Sequence, residues 1–341
     1  MTMVVQKNID LSKYTTLKTG GPAKYFFEVT TVEEIKTAVF FAKQNELPFF
    51  VLGGGSNLLA LDEGYAGVII KISLSGIIFN EELDGTVTVS VSAGEILDEF
   101  ITLIVNHGLW GLENLSHIPG TVGATPVQNV GAYGVEVSDF IKEVTVFDVD
   151  TFESLILSAD ECHFGYRDSI FKTDIGKKYI ITNVSFDLSI TPHPRLKYAD
   201  LTTYFNNNKN PLLSEIREAI INIRSQKFPD WHLVGTAGSF FKNPIVKRAE
   251  IEFLSQEYPT LPIYDVSENM VKLSLGFILD KICGLKGYKD NHVRLYEKQA
   301  LVLVAESGST STEIENFSSM IAKKVFKKTN LNIELEVTKI K

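Results

Sequence analysis

The segment Phe49-Phe50-Val51-Leu52-Gly53-Gly54-Gly55-Ser56-Asn57 places a glycine triplet directly after a short apolar run. A helical pattern begins at Thr31, carries apolar residues at helical spacing, and ends before Pro48. Because glycine tolerates backbone conformations that other residues resist, the triplet predicts a turn at the end of a buried strand. The order of strand, helix, strand and glycine loop predicts an α+β or α/β fold.

The same patterns predict the other elements of the chain. Capping boxes at Thr31–Glu34 and Thr310–Glu313 predict two helix starts. The polar stretch 191–211 contains three prolines and predicts a domain boundary or a mobile substrate loop. The remaining predicted elements are strands at 68–72, 87–91, 143–147, 179–186 and 333–337 and helices at 97–105 and 212–226.

Composition narrows the class of protein. The chain has 341 residues, 44% hydrophobic and 22% charged, which indicates a soluble globular protein of two or three domains. The net charge of −9, without a basic stripe, argues against a general nucleic-acid binder, so an anionic ligand needs a local basic pocket. Residues 1–7 lack the features of a signal peptide, and no apolar run reaches membrane-spanning length. We therefore expect a cytoplasmic protein without a membrane partner.

Cysteine and histidine spacing does not predict a metal site. Cys162 and Cys283 are the only cysteines, and they are far apart in sequence, so we expect reduced thiols. The six histidines show no metal-binding spacing, and we expect no metal.

Two glycine clusters are candidate ligand loops. In the first, Gly53 to Asn57, Leu58 stands where a dinucleotide fingerprint has its third glycine, and no P-loop lysine follows. This cluster is either a tight turn or a nest of backbone N–H groups that binds an anion. The second cluster, Pro119 to Gly134, predicts backbone packed against a flat ligand or an elaborate turn. As a pair, the clusters could hold the two halves of one dinucleotide.

Basic residues outside these loops are further candidates. Arg167, within Tyr166–Lys172, presents a fork of donors suited to carboxylates and phosphates, although the adjacent Asp168 is an alternative partner. Arg224 and Lys227 lie near a predicted helix end, where a solvated face is the ordinary explanation.

Two glutamates near the end of the sequence are further candidate site residues. Glu334 and Glu336 alternate with apolar neighbours in 333–337, so they are expected on one face of the predicted final strand. A solvated sheet face is the ordinary interpretation, and a covered face would make either one a site residue.

The segment Gly235–Pro244 combines glycines, two aromatics and three polar side chains. The aromatics could wall a dry pocket, with Ser239, Lys242 and Asn243 as its polar groups. A glycine turn that enters a strand explains the same segment equally well.

Taken together, these segments resemble the UDP-N-acetylenolpyruvoylglucosamine reductase family of bacterial cell-wall synthesis. The resemblance runs along nearly the whole chain, and Tyr166–Lys172 with the polar loop around Tyr198 is similar to the longer of its two subtypes. The segments that carry it are 16–23, 52–58, 111–134, 166–172, 235–244 and 284–287.

The resemblance implies an α+β flavoprotein. Its fold would combine a two-lobed FAD-binding region of the vanillyl-alcohol-oxidase or PCMH type with a separate α+β substrate-binding domain. The implied boundaries are 1–66 and 67–212 for the FAD-binding lobes and 213–330 for the substrate domain, with 331–341 returning to the first lobe. Non-covalent FAD would be reduced by NADPH and would then reduce an enolpyruvyl ether of UDP-N-acetylglucosamine to UDP-N-acetylmuramate.

The resemblance also implies residue roles. Hydride would arrive at C3 of the enolpyruvyl group, Arg167 and Glu336 would stabilise the charge that develops, and Ser239 would donate a proton to C2. The implied substrate-binding residues are Tyr198, Lys227, Asn243 and Gln299. The implied cofactor-binding residues are Gly53, Gly54, Gly55, Ser56, Asn57, Gly120, Thr121, Gly123 and Arg224.

The chain departs from the family pattern at two positions. Tyr296 stands where the family commonly has histidine, and Leu335 stands where a proline is usual, which leaves Glu334 as an alternative to Glu336. Two other functions compete: an FAD-dependent sugar or alcohol oxidase of the same fold, and a non-catalytic FAD- or nucleotide-binding protein.

Overall fold

A computed structural model describes residues 4–81, 85–206 and 208–340 of the chain. The first three residues of the segment expected to lack a signal peptide, 1–3, and residue 207 of the predicted polar loop lie outside the described residues.

Helices and strands alternate irregularly along the chain, which confirms the predicted α+β class. The strands are β1 Gln6–Asp10, β2 Pro22–Val29, β3 Phe49–Leu52, β4 Leu58–Ala60, β5 Tyr65–Ile72, β6 Ile77–Glu81, β7 Thr86–Ser92, β8 Gly131–Ala132, β9 Val135–Glu136, β10 Ile141–Asp148, β11 Glu153–Ser158, β12 Tyr179–Ser189, β13 Ile245–Lys247, β14 Ile263–Asp265, β15 Met270–Leu273, β16 Lys289–Asp290, β17 Val293–Leu295, β18 Leu303–Ala305 and β19 Thr338–Ile340. The α-helices are α1 Val32–Gln44, α2 Leu97–Asn106, α3 Ala199–Phe205, α4 Leu213–Lys227, α5 Glu252–Glu257, α6 Leu275–Phe277 and α7 Ser311–Thr329. A π-helical turn follows α6 at Ile278–Ile282, and 3₁₀ turns lie at Leu11–Tyr14, Glu113–Leu115, Val122–Ala124, Val137–Asp139, Ile170–Lys172, Gly176–Lys178 and Arg248–Ile251.

The chain forms two compact units. The first consists of the described residues of Met1–Ile9, Ala23–Gly54 and Ala66–Arg224, and the second of those in Asp10–Pro22, Gly55–Tyr65 and Ser225–Lys341. The predicted boundaries at 66, 212 and 330 stay a prediction.

The first unit is built on two sheets. One has the strand order β1-β2-β5-β3, with β3 parallel to β5, and the other is antiparallel in the order β11-β10-β12-β7-β6. Helix α1 crosses over before β3, and its predicted apolar face is fully buried. This crossover delivers the end of β3, at Leu52, to the first glycine loop.

The second unit has three small sheets. Their orders are β13-β15-β14, β16-β17-β18 and β19-β4, and the last pair is parallel. Helix α7 covers the core of this unit, and its capping box between Thr310 and Glu313 is confirmed. Strand β19 registers Thr338 opposite Leu58, so the end of the chain pairs with the strand that follows the first glycine loop.

Two expectations need correction. The final strand is Thr338–Ile340 rather than 333–337, because only Leu335 of that segment makes a bridge, to Phe241. At α1, Thr31 accepts from the Glu34 N–H as predicted, but the Glu34 carboxylate accepts from the N–H and hydroxyl of Thr30 instead of closing the box at Thr31. The polar stretch 191–211 contains helix α3, and its assignment as a domain boundary or a mobile substrate loop stays a prediction.

Within residues 4–81, 85–206 and 208–340, no helix has both the length and the apolar character that membrane crossing requires. The same ranges contain no group of three or more histidine, cysteine, aspartate or glutamate side chains placed to hold a metal ion. Cys162 is a free, buried thiol, and burial raises its pKa to about 12.

An ion pair joins α2 to α4 in the first unit. The Arg217 guanidinium donates to both oxygens of Asp98, at 2.6 and 3.1 Å, and the His117 N–H donates to Asp98 Oδ1 at 2.5 Å. Burial alone would raise the pKa of Asp98, but the hydrogen bonds from Arg217 and His117 outweigh it and hold that pKa below its ordinary value. Asp98 therefore stabilises the fold when it is ionised.

We predict that Asp98→Asn lowers the free energy of unfolding by about 2 kcal/mol at neutral pH, because it removes one partner of a largely buried charged pair. Since the folded pKa of Asp98 is depressed, the wild-type advantage should be complete above the ordinary aspartate pKa and should shrink as pH falls below it. Urea unfolding at several pH values measures this difference. Asp174→Asn, in an exposed pair with Lys177, is the control and should leave the midpoint unchanged.

Candidate functional site

The two glycine clusters meet in the first unit, backbone against backbone. A Cβ added to Gly54 would lie 2.6 Å from Gly120 Cα, and one added to Gly53 would lie 2.8 Å from Thr121 Oγ1. Gly123 is equally restricted, because its Cβ would lie 2.4 Å from the Cβ of Ala93. The structure thus brings together four of the predicted cofactor-binding residues, Gly53, Gly54, Gly120 and Thr121, and packs Gly123 against Ala93.

This arrangement suits a bound cofactor. The hydroxyl of Thr121 is buried and has no hydrogen-bond partner among the described residues. Buried polar atoms are nearly always bonded, so an orphaned hydroxyl beside two glycine loops fits a ligand that supplies the missing partner. The glycines also have a purely structural reason, since the loops could not approach this closely with side chains.

The rest of the first loop belongs to the second unit. Gly55 has φ +67°, and a Cβ there would lie 1.9 Å from the Tyr14 carbonyl oxygen. The Ser56 carbonyl accepts from the Thr16 hydroxyl at 3.4 Å. Asn57 Nδ2 donates to the Glu336 carbonyl at 3.1 Å, and the Thr338 N–H donates to the Asn57 carbonyl. Asn57 therefore ties the loop to the C-terminal segment.

Arg167 lies in a turn of the first unit with a left-handed backbone, φ +54°. The N–H and carbonyl of Gly165 both bond to Asp168 and close this turn. The Arg167 guanidinium donates to the Gly131 carbonyl at 2.8 Å and to the Asn129 carbonyl at 3.5 Å, so its orientation is fixed by the second glycine cluster. A non-glycine residue in this conformation is uncommon and indicates a position that the surrounding structure determines.

In the first unit, Tyr133 lies between Tyr198 and Arg224 and contacts both. The ring of Tyr198, 44% exposed, meets that of Tyr133 edge-on at 5.2 Å between centroids. The Tyr133 hydroxyl is bonded to Arg224, whose Nε donates to the His117 carbonyl at 3.1 Å. Burial raises the pKa of Tyr133 to about 12, so its hydroxyl stays neutral and accepts from the Arg224 guanidinium. Tyr133, in the second glycine cluster, was not among the predicted site residues, although it contacts two of them.

Ser239 follows a glycine that faces open space in the second unit. The preceding Gly238 has φ +70°, and a Cβ there would meet no described atom within 4 Å. Ser239 is half-buried and lies opposite Val302 in an antiparallel bridge. Among the residues that the structure describes, none hydrogen-bonds to the Ser239 hydroxyl.

The two aromatics after Ser239 have another role than the one predicted. Phe240 and Phe241 are 0% and 1% exposed and belong to the core of the second unit, so they do not wall a pocket. Their burial fixes the backbone on which Ser239 is carried.

The structure also distinguishes Glu336 from Glu334. The Glu336 N–H donates to the Phe240 carbonyl, and the Lys242 N–H donates to the Glu334 carbonyl, both at 2.9 Å. Glu336 therefore lies beside the Ser239 segment and is half-buried. The side chain of Glu334 is 80% exposed, with one oxygen 3.9 Å from Lys242 Nζ.

The other predicted substrate-binding residues of the second unit lie in different surroundings. Gln299 lies beside the Ser239 segment, because the Phe240 N–H donates to the Leu301 carbonyl and Leu301 N–H donates to Gln299 Oε1 at 3.4 Å. Asn243 uses its side-chain oxygen to accept from the Leu275 N–H at 3.0 Å. Lys227 is the half-buried last residue of α4.

Comparison with known proteins covers both units. Residues 23–151 match the model of an FAD binding domain, and residues 229–340 match the C-terminal domain of UDP-N-acetylenolpyruvoylglucosamine reductase. A UDP-N-acetylenolpyruvoylglucosamine reductase of Flavobacterium johnsoniae is 38% identical over 99% of this chain and 100% of its own length. Its counterpart from Chromobacterium violaceum is 37% identical over 98% of this chain and 99% of its own length.

A solved structure agrees with these relatives. The crystal structure of UDP-N-acetylenolpyruvylglucosamine reductase from Thermus caldophilus is 26% identical, covers 99% of this chain and 100% of its own, and has a TM-score of 0.69. Two relatives are 37% and 38% identical to this chain over nearly its full length, and family models match both units. The chain therefore belongs to the UDP-N-acetylenolpyruvoylglucosamine reductase family.

Proposed function

We propose that this chain reduces UDP-N-acetyl-3-O-(1-carboxyvinyl)-glucosamine to UDP-N-acetylmuramate with NADPH, through the residues assigned below. Family membership makes it an FAD-dependent oxidoreductase of peptidoglycan precursor synthesis, with a UDP-sugar substrate and a nicotinamide reductant. The observation that carries the residue assignment is the pairing of the Ser239 segment with Glu336, beside a serine hydroxyl to which none of the described residues hydrogen-bonds.

Glycine loops and one hydroxyl would hold the cofactor. Gly53, Gly54 and Gly120 let backbone approach the ligand, and the buried Thr121 hydroxyl would donate or accept the hydrogen bond it lacks. When bound, FAD supplies the hydride that is added to C3 of the enolpyruvyl group. The remaining proposed cofactor residues are Gly55, Ser56, Asn57, Gly123 and Arg224.

Ser239 would donate the proton that completes the reduction at C2. A serine hydroxyl is a weak acid, so its value lies in its position and in neighbours that stabilise the charge it leaves behind. The carboxyl group of Glu336, carried on backbone bonded directly to Phe240, is the proposed neighbour, and in its protonated form it would donate a hydrogen bond to that charge. Its half-burial, against the exposure of Glu334, supports Glu336 as the site carboxylate.

Arg167 would stabilise the negative charge on the substrate carboxylate as hydride is added. A guanidinium held by two backbone carbonyls is already oriented, so little reorganisation is needed when the charge appears. The proposed contacts to the rest of the sugar nucleotide are Tyr198, Lys227, Asn243 and Gln299. The preference for NADPH, the absence of a nucleic-acid partner and the cytoplasmic location stay predictions.

The direct test follows NADPH oxidation anaerobically, with and without the enolpyruvyl sugar nucleotide. We expect oxidation beyond one turnover only when the sugar nucleotide is present, with UDP-N-acetylmuramate as the product by mass spectrometry. Turnover with oxygen and a sugar or alcohol, and none with the enolpyruvyl ether, would instead establish the oxidase. A protein that takes up FAD but turns over neither substrate would be a binding protein.

We predict that Ser239→Ala slows reoxidation of the reduced enzyme by the sugar nucleotide about 10²-fold or more, because the proton donor is lost. Reduction by NADPH should stay within about twofold of wild type, since no proton to C2 is needed there. Stopped-flow absorbance separates the two half-reactions. Ser255→Ala, at a hydroxyl bonded to the Glu252 carbonyl, is the matched control. Equal losses in both half-reactions would contradict the proton-donor role.

The two C-terminal carboxylates provide a matched pair. We predict that Glu336→Gln lowers kcat about 10²-fold, because the acidic O–H that a carboxyl group can donate toward the developing negative charge is lost, and that Glu334→Gln changes kcat less than about threefold. Steady-state NADPH oxidation with the sugar nucleotide measures both variants. The reverse ranking would reassign the carboxylate to Glu334.

A further inference from the structure

The segment that carries Tyr198 is fastened at Arg195 by a buried amide. Asn114 is fully buried, and its Nδ2 donates to the carbonyls of Arg195 and Tyr133, each at 2.9 Å. One amide therefore joins the backbone of the segment to the backbone of the tyrosine against which Tyr198 rests. A buried amide that bridges two carbonyls fixes their separation, because either one left unpaired would carry a desolvation cost.

The Arg195 side chain is fastened a second time. Its NH1 lies 2.5 Å from Asp139 Oδ2, and its guanidinium carbon lies 4.7 Å from the centre of the Phe140 ring. Both charged side chains are 35% exposed, so this is a partly shielded ion pair reinforced by a cation–π contact. We call Arg195 with Asn114, Asp139 and Phe140 the Arg195 anchor.

The segment is also fixed beyond Tyr198. Leu201 of α3 is fully buried in a cluster with Tyr133 and the α4 residues Leu213 and Ile216. The Thr202 hydroxyl donates to the Leu196 carbonyl at 2.9 Å and closes the turn around Tyr198. Tyr198 thus lies between two fixed points, exposed but held in place.

We propose that Asn114 and Arg195 are positioning residues that set the affinity for the sugar nucleotide by holding Tyr198 against Tyr133. This inference rests on the proposed function, in which Tyr198 contacts the nucleotide part of the substrate. A segment released at Arg195 would occupy several conformations, and binding would then have to select one of them at a cost in affinity. The chemical step would be unaffected once the substrate is bound.

The kinetic test uses two variants of the anchor. Asn114→Leu keeps the size of the side chain and removes both donors, and Arg195→Gln removes the ion pair and the cation–π contact at a partly exposed site. Both should raise KM for the enolpyruvyl sugar nucleotide about tenfold and leave kcat and flavin reduction by NADPH within about twofold. Arg248→Gln, which breaks an exposed pair with Asp265, is the matched control and should change neither constant.

A double-mutant cycle shows whether the anchor acts through Tyr198. In a Tyr198→Ala background, Asn114→Leu or Arg195→Gln should raise KM by less than about twofold, because the side chain they position is gone. Should Asn114→Leu fail to fold, Arg195→Gln carries the cycle alone. A tenfold rise in KM that persists in the Tyr198→Ala background, or an unchanged KM in both single variants, would overturn the proposal.

A proteolytic readout is independent of activity. Lys197 is exposed and lies between Arg195 and Tyr198, so a lysine-specific protease reports how often the segment opens. Cleavage after Lys197 should be at least about fivefold faster in both anchor variants than in wild type and the Arg248→Gln control. Unchanged cleavage would contradict the anchor itself, whereas a wild-type enzyme that does not turn over the sugar nucleotide would contradict the proposed function.

Discussion

The rest of the candidate cofactor site depends on the direct contact of two backbone loops, Gly53–Gly54 and Gly120–Thr121. The contact is possible only without side chains, because a Cβ at Gly54 would lie 2.6 Å from Gly120 Cα. The crossover from α1 into β3 brings the first loop to this point. The parallel register of β3 with β5 fixes where β3 ends and the loop begins. The second loop reaches it after α2, where Asp98 bonds the His117 N–H just before Gly120. Secondary structure thus delivers both loops, and glycine allows them to meet.

A second long-range pairing organises the proposed reaction centre of the second unit. Ser239 and Glu336 are far apart in sequence. An antiparallel bridge between Phe241 and Leu335 brings their two segments side by side. Asn57 then fastens the same C-terminal segment to the first glycine loop through the Glu336 carbonyl. Because these hydrogen bonds are made by backbone, the backbone position of residue 336 does not depend on the chemistry of its side chain. Substitution of that side chain should therefore test function more than folding.

The sequence predicted features that local chemistry decides. Helix starts at Thr31 and Thr310 and the strand at Phe49 follow from capping and from the pattern of apolar residues. The alternation around Glu334 and Glu336 misled, because the pattern was read as a strand where only Leu335 makes a bridge. Alternation records which side chains are half-buried and does not record whether a partner strand is present.

The sequence did not predict features that tertiary contacts decide. Phe240 and Phe241 are as suited to a pocket wall as to a core, and only packing around them distinguishes the two. Tyr133 was hidden in a glycine-rich run, and its link to Arg224 depends on how α4 packs. Asn114 carries no local signature at all, since its partners, the carbonyls of Tyr133 and Arg195, are brought to it by the fold.

The central claim is that the contact of Gly54 with Gly120 makes the FAD site, and FAD titration of the deflavinated protein tests it most directly. Wild type should bind about one FAD per chain, and Gly54→Ala should bind at least about tenfold more weakly, because its Cβ forces the two loops apart. Gly165→Ala, whose Cβ would meet its nearest neighbour at an ordinary 3.8 Å, should bind as wild type does. Thermal melting of the deflavinated proteins controls for general loss of fold. A folded Gly54→Ala protein that binds FAD as tightly as wild type would contradict the account.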